Sequence, residues 1–283
     1  MTSAPPPTGR RQRLGSELRK LREQAGLTAT EAATCIGGNQ ARISNIEAGR
    51  YGVSADRVRV LASHYDCADE GLVEALAAMT GERKRRWWEE YRELLPASWL
   101  DLAELEHHAH RLRGASTAHI PGLLQTPEHA REIFRQAVPS LSPPDIEHRV
   151  SFRVKRQQVI HRAGPTPYLA IVHEAALRMA VGGPDIARAQ LAHLLAVSEY
   201  PHVTVRAIPF SAGAVPGSGQ SVYFAHGPVP QLDTVHLDQS HGLVFLNVDT
   251  QLDEYRELFA RLEATALPPE ESRSLIDAVR RNL

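Results

Sequence analysis

The sequence predicts an all-α module of five short helices at the N-terminus, carrying a helix-turn-helix. It is followed by an α+β domain with a mainly antiparallel sheet of about five strands. Three observations predict this. Residues 28–50 form two short helical patterns about a double glycine. Charge divides unevenly: residues 1–65 hold 10 Lys and Arg against 5 Asp and Glu, although the whole chain of 283 residues has a formal net charge of −1. Beyond Trp99, short runs rich in Val, Ile and Thr alternate with helical periodicity, the pattern of a mixed domain.

Bulk composition narrows the class. An apolar fraction of 42% with 23% charged residues excludes a disordered or fibrous chain, and the length suits two domains. Met1 to Pro7 lacks the apolar core of a signal peptide, and no apolar run approaches a membrane span. Cys35 and Cys67 form no paired-ligand or redox motif, which fits a reducing compartment. A cytoplasmic location is expected.

Residues 1–9 read as a flexible tail. Arg10–Ala25 is the first helix, with Leu14, Leu18 and Leu21 as its apolar stripe and Gly26 as its stop. Five basic residues surround that stripe, mostly a solvated face, with Arg11 or Arg13 as a phosphate contact. Thr28 caps the second helix, and Glu31 completes a capping box. Ala32, Ala33 and Ile36 face inward, and the small Ala33 lets another helix cross closely. Gly37 and Gly38 permit the backbone to reverse. Asn39 caps a third helix in which Ile43 and Ile46 point inward. Gln40, Ala41, Arg42, Ser44 and Asn45 are left facing outward, the residue types that suit base edges and phosphates in a major groove. Ser54 to Tyr65 and Asp69 to Met79 supply two further helices, the first capped by Ser54.

With Glu47-Ala48-Gly49-Arg50 closing the third helix, this stretch resembles the Cro/repressor-type (XRE) helix-turn-helix family. The resemblance implies sequence-specific binding to double-stranded DNA. It assigns Ala33, Gly37, Ile43 and Ile46 to the small, turn and core positions, and Gln40 to the leading base-reading glutamine. Ala41, Ser44 and Asn45 take further base-facing positions, while Arg42 and Arg50 meet phosphates. Ala29 departs from the pattern, because many relatives carry there a polar residue that bonds phosphate. A plain helical hairpin is the simpler alternative, but cap, turn, core and polar face all agree on the motif.

Residues 10–80 thus form the DNA-binding head and residues 81–98 a helical linker. Arg83-Lys84-Arg85-Arg86 has two readings: a cluster lying along the DNA backbone, or a soluble helix whose arginines pair with Glu89, Glu90 and Glu93. Trp87, Trp88, Tyr91 and Trp99 are expected to pack the linker on the body.

Residues 99–283 read as the α+β domain, for sensing, dimerisation or partner binding. The expected order is a helix over 100–113, an extended piece ending in Ile120–Thr126, and helices over 127–137 and 145–161. A strand over 168–173, a helix over 184–199 and a strand over 203–208 follow. A loop over 209–219 leads to strands over 221–225, 234–238 and 243–247, and helices over 252–264 and 269–282 close the chain. Ile120–Thr126, Glu174–Leu177, Val181–Pro184, Ile208–Gly213 and Pro268–Leu275 resemble landmarks of the large C-terminal domain of WhiJ-like actinobacterial regulators. That resemblance implies regulation beside a small partner protein, in some relatives with an antitoxin-like role.

Chemistry elsewhere is sparse. Thirteen of the 14 histidines lie from His107 to His241, which invites a metal hypothesis. His107 and His110 stand at i and i+3, and His226, His236 and His241 lie near strand ends. His173-Glu174 resembles the start of a metalloprotease helix, but Leu177 occupies the second histidine's place. Scattered hydrogen-bonded histidines are the favoured reading, with no metal. Ser211, Ser218 and Ser221 lie in no nucleophile elbow, and Gly213–Gly219 lacks a P-loop lysine. No enzyme and no cofactor are expected.

The leading expectation is a transcriptional regulator, dimeric on a pseudo-palindromic operator, with an effector or partner site in its C-terminal domain. Loop 209–219, opposite Pro121–Thr126, is the expected place for an effector pocket. An antitoxin-like protein that sequesters a small partner is the first alternative, and a His-dependent metal enzyme with a DNA-binding head the second.

Overall fold

The computed structural model describes residues 7–81, 86–217, 219–239 and 242–283. The chain divides into two compact units, residues 1–90 with 100–104, and residues 91–99 with 105–283.

The first unit holds α1 (Gly9–Gln24), α2 (Ala29–Cys35), α3 (Gln40–Glu47), α4 (Ala55–His64) and α5 (Glu70–Ala78). Each begins at a polar cap. The side chains of Thr8, Thr28, Asn39, Ser54 and Asp69 all accept from a backbone N–H of the first turn. Each such cap contributes about 1 kcal/mol. Leu18, Ala32, Ala33, Ile43, Ile46, Val58, Leu61 and Leu76 are buried between the helices. At about 1.5–3 kcal/mol for each large apolar side chain removed from water, that core holds together helices too short to stand alone.

The region expected to be a helical linker breaks up instead. Trp87–Tyr91 forms a short 3-10 turn, and α6 (Ala97–His108) begins only after Pro96. Residues 83–85 of the basic cluster lie outside the described residues, as do residues 1–6 of the tail, Ser218 and His241. Tyr91 meets Phe152 edge-on and bonds Ser151 at 2.8 Å, while Trp99 packs on Phe134 and Phe152, so these aromatics do join the body.

The second unit is built on a six-stranded mixed sheet in the order β3-β2-β1-β4-β5-β6. Its strands are β1 (Arg111–Ser116), β2 (Tyr168–His173), β3 (Val203–Ile208), β4 (Val222–His226), β5 (Thr234–Gln239) and β6 (Gly242–Leu246). The pairs β1–β2 and β2–β3 are parallel, and the three others are antiparallel. Parallel neighbours need long crossovers. The first is supplied by α7 (Pro127–Arg135), α8 (Pro143–Arg156) and α9 (Gln158–His161), the second by α10 (Glu174–Arg178) and α11 (Pro184–Val197). Side chains alternate between two apolar layers. Leu112, Ala170, Val172 and Val205 pack with Leu191 and Leu194 of α11 and Ile276 and Val279 of α13 (Pro269–Arg281). Ala115, Leu169, Ile171, Phe224 and Val235 pack on the opposite face with Phe259 and Leu262 of α12 (Asp249–Thr265).

One expectation fails here. The helix over 100–113 stops at His108, and its last residues become β1, the central strand. The sheet expected at about five strands, mainly antiparallel, is found with six, β1 being the added one. Arg113, on β1, is covered because its guanidinium lies 4.4 Å over the Phe259 ring and pairs with Glu263. Gly114 is needed there, since a side chain would meet the Tyr168 hydroxyl and the Tyr223 ring at 2.9 Å.

Candidate nucleic-acid interface

The turn between α2 and α3 is closed by backbone bonds from Gly37 N–H to Thr34 O at 3.3 Å and from Gly38 N–H to Ala33 O at 2.9 Å. Gly37 sits at φ +60°, where a side chain would be strained. Thr28 and Glu31 form the full capping box, with Glu31 accepting from the Thr28 backbone at 2.7 Å. This fixes where α2 starts, and the turn fixes where α3 leaves.

On α3, Ile43 and Ile46 are buried while Gln40, Ala41 and Ser44 are exposed. Arg42 and Asn45 are half-buried on the flanks. Ala41, Arg42, Asn45 and Arg50 line an open concavity of about 900 Å³ together with Gly38 and Tyr51. Four of the six sequence-assigned residues thus share this concavity, and Gln40 and Ser44 lie exposed on α3.

Some of these side chains already have partners. The Asn45 amide donates to Ala41 O at 2.8 Å, and its Oδ1 accepts from the Arg50 guanidinium at 3.3 Å. Among the described residues, neither Arg42 nor Arg50 has a carboxylate within ion-pair distance. Other arginines of the unit contrast with them: Arg19, Arg22 and Arg59 are matched to Glu23, Glu47 and Glu74. Cations without a carboxylate are those able to replace counterions on a phosphate backbone. Of the two α1 candidates, Arg11 is exposed, whereas Arg13 is buried 3.2 Å from Glu17. Arg13 is therefore not available to phosphate.

Three supports of this surface were not read from the sequence. Arg22 donates to both oxygens of Glu47, at 2.6 and 3.0 Å, and also to Leu27 O at 2.7 Å. It ties α1 to the last residue of α3, and the guanidinium pKa is raised, chiefly by its hydrogen bond to Glu47. Gly15 lets the same helices touch, because a Cβ there would lie 2.3 Å from Glu47 O. Gly49, at φ +70°, lies against α1 similarly, its added Cβ 2.9 Å from Gln12 N.

Among the described residues, no group of three or more His, Cys, Asp or Glu is placed to hold a metal ion. His107 and His110 do not share a helical face, because α6 ends at His108; His107 Nδ1 faces Arg162 at 3.1 Å. His226 lies 3.6 Å from Asp233, whereas His236 stacks on Tyr223 from the other face of the sheet. His173 caps α10, its Nδ1 accepting from Ala175 N–H at 3.2 Å. The expected effector pocket is also rearranged. Loop residues Val215 and Pro216 line a cavity of about 30 Å³ with Ser116 and Tyr255 rather than with Pro121–Thr126. That segment is held elsewhere by Gln190, which donates to Leu124 O at 2.7 Å and accepts from Thr126 N–H at 2.8 Å.

No helix among the described residues is long and apolar enough to cross a membrane. Residues 13–76 match the family described as a helix-turn-helix domain, and residues 99–278 match the one described as a domain of unknown function (DUF5753). No curated protein and no solved structure matches the chain.

Proposed function

We propose that this chain, which belongs to the DUF5753 family, is a sequence-specific DNA-binding transcriptional regulator with a head of the Cro/repressor (XRE) type. One observation carries the reading: α3 buries Ile43 and Ile46 yet keeps Gln40, Ala41 and Ser44 in solvent beside two arginines that lack a carboxylate. In the major groove, Gln40 bonds a base edge, Ser44 and Asn45 read neighbouring bases, and Arg42 and Arg50 set register through phosphates.

One small head buries too little surface to select among genomic sites. The chain acts as a dimer on a pseudo-palindrome, with half-sites about 34 Å apart or a multiple of it. The C-terminal domain, of the WhiJ-like kind, supplies the dimer contact and a site for an effector or a small partner protein. Selection of bound fragments from genomic DNA at physiological salt tests this. A recurrent two-fold motif that is lost with Gln40→Ala supports it. Indifference to DNA sequence, with unchanged binding by that variant, rules it out.

A further inference from the structure

The six-stranded sheet has two edges, and the chain treats them differently. Along β3 the outer backbone is met by the segment that enters α13. Ala207 N–H donates to Ser272 Oγ at 2.9 Å, and Ala207 O accepts from Leu267 N–H at 2.9 Å. The Arg206 guanidinium donates to Leu267 O at 2.8 Å, which ties the same segment down. Covering an edge in this way hides N–H and C=O groups that would otherwise pair with another chain.

The opposite edge, β6, has no such cover. It stands last in the strand order and pairs with β5 alone, from Val235 against Leu246 to Gln239 against Gly242. Among the described residues, no hydrogen bond reaches Gly242–Leu246 from beyond that ladder. Other protections of an open edge are missing too. The strand carries no charge and no proline, and its register with β5 runs without a bulge. Leu243, Val244, Phe245 and Leu246 are all half-buried, so apolar surface stays in water along the strand. Val248, just beyond, is 52% exposed.

We propose that β6 is the self-association edge, where a second copy of this chain adds its own β6, antiparallel, across a two-fold axis. The strand's own sequence selects that occupant. Centred on Val244, the pairing sets Val244 opposite its counterpart, Leu243 opposite the partner's Phe245 and Gly242 opposite the partner's Leu246. Pairs of β-branched, aliphatic and aromatic side chains stabilise a sheet, and no like charges meet. Gly242 gives room to the leucine it faces, because nothing lies within 4 Å of a Cβ built on it. Two-fold pairing is closed, so it stops at two copies instead of growing into a filament. One short strand from each copy makes a small interface, so the dimer is weak and concentration-dependent. The proposal rests on the dimeric part of the regulator reading and names the surface responsible for it.

The test is sedimentation equilibrium of the full chain over a wide concentration range, without DNA. Wild type should pass from monomer to dimer and no further. Val244→Lys and Val244→Glu each set like charges opposite one another and should weaken self-association about tenfold or more. Mixing the two variants should restore a dimer, since opposite charges then meet. Where a charged variant does not fold, Val244→Cys decides. Its thiols would stand within disulfide reach across the two-fold, so oxidation with diamide should give a covalent dimer that wild type does not form. A wild type that stays monomeric, even one that takes up a small partner protein at this edge, overturns the proposal. So does a dimer undiminished in both charged variants, a folded pair that fails to associate on mixing, or a Val244→Cys chain that does not cross-link. A chain that dimerises through Val244 yet ignores DNA sinks the regulator reading and upholds this surface.

Discussion

The Arg50 guanidinium donates to Asn45 Oδ1 at 3.3 Å, so two residues assigned to DNA hold each other in the free head. Asn45 also gives its amide proton to Ala41 O, one turn earlier on the same helix. A base that bonds Asn45 must take over one of these bonds. Arg50→Ala should therefore do more than delete a phosphate contact: base preference at the Asn45 position should loosen too. In a double-mutant cycle on DNA affinity the two positions should couple by about 0.5–3 kcal/mol. Strict additivity would show that the bond has no part in recognition.

Gln40 and Arg42 should separate by the kind of contact they make. Gln40→Ala should cost about 1–3 kcal/mol on the preferred site and little elsewhere. Arg42→Ala should weaken all sequences alike and lower the salt-dependence slope by about 1. Binding isotherms on matched and mismatched duplexes at several salt concentrations distinguish the two.

Arg22 and Glu47 are about nine-tenths buried, so removing one partner strands the other. Glu47→Ala or Arg22→Ala should destabilise the head by about 3–5 kcal/mol, and replacing both with apolar residues of similar size should restore much of the loss. Denaturant unfolding of the three variants decides it; a double variant as weak as either single one contradicts the account.

Gly15→Ala places a methyl group against the Glu47 and Ile46 carbonyls, 2.3 and 2.5 Å away. Backbone cannot retreat as a side-chain end can, so the α1–α3 crossing must open. A loss of about 3 kcal/mol or more is expected, at the upper end for overpacking. Gly26→Ala makes the contrast, because nothing lies within 4 Å of its added Cβ; its only strain is backbone, at φ +70°. Thermal unfolding should rank Gly15→Ala as the more damaging.

Acid should loosen the second unit before its carboxylates titrate. Unfolded imidazoles take up protons below about 6.5, whereas folded His129 and His236 wait until about 4 and 3 because burial penalises their charged form. Between those limits the unfolded state binds more protons, so stability falls as pH falls; above about 6.5 the effect vanishes. Each ring contributes up to about 1.4 kcal/mol per pH unit. Denaturant midpoints from pH 7 to 5 should show that decline, and His236→Gln should flatten it.

The head was legible in the sequence because its information is local. Caps at Thr28, Asn39 and Ser54, the turn glycines and the Ile43–Ile46 spacing each act within a few residues, and the helices fall within a residue or two of expectation. The strands at 168–173 and 203–208 were equally plain, being dense in β-branched and apolar residues. What stayed hidden depends on partners remote in sequence. Arg111-Leu112-Arg113-Gly114 has poor strand propensity, and it becomes a central strand only because Glu263, Phe259, Tyr168 and Tyr223 receive it. Likewise, nothing near Arg22 announces Glu47, and nothing in α8 tells Arg153 from Arg156 until Glu106 is seen to take Arg156.

The position of β1 also sets an order of events during synthesis. It pairs with Tyr168–Val172 on one side and Val222–His226 on the other, so the sheet cannot close until the ribosome has passed residue 226. The pairings among α1 to α5 all lie within residues 9–78 and can settle while the rest is still emerging. A nascent chain would thus carry a finished head on an open, apolar half-sheet, and that interval is when this protein most needs shielding from its neighbours.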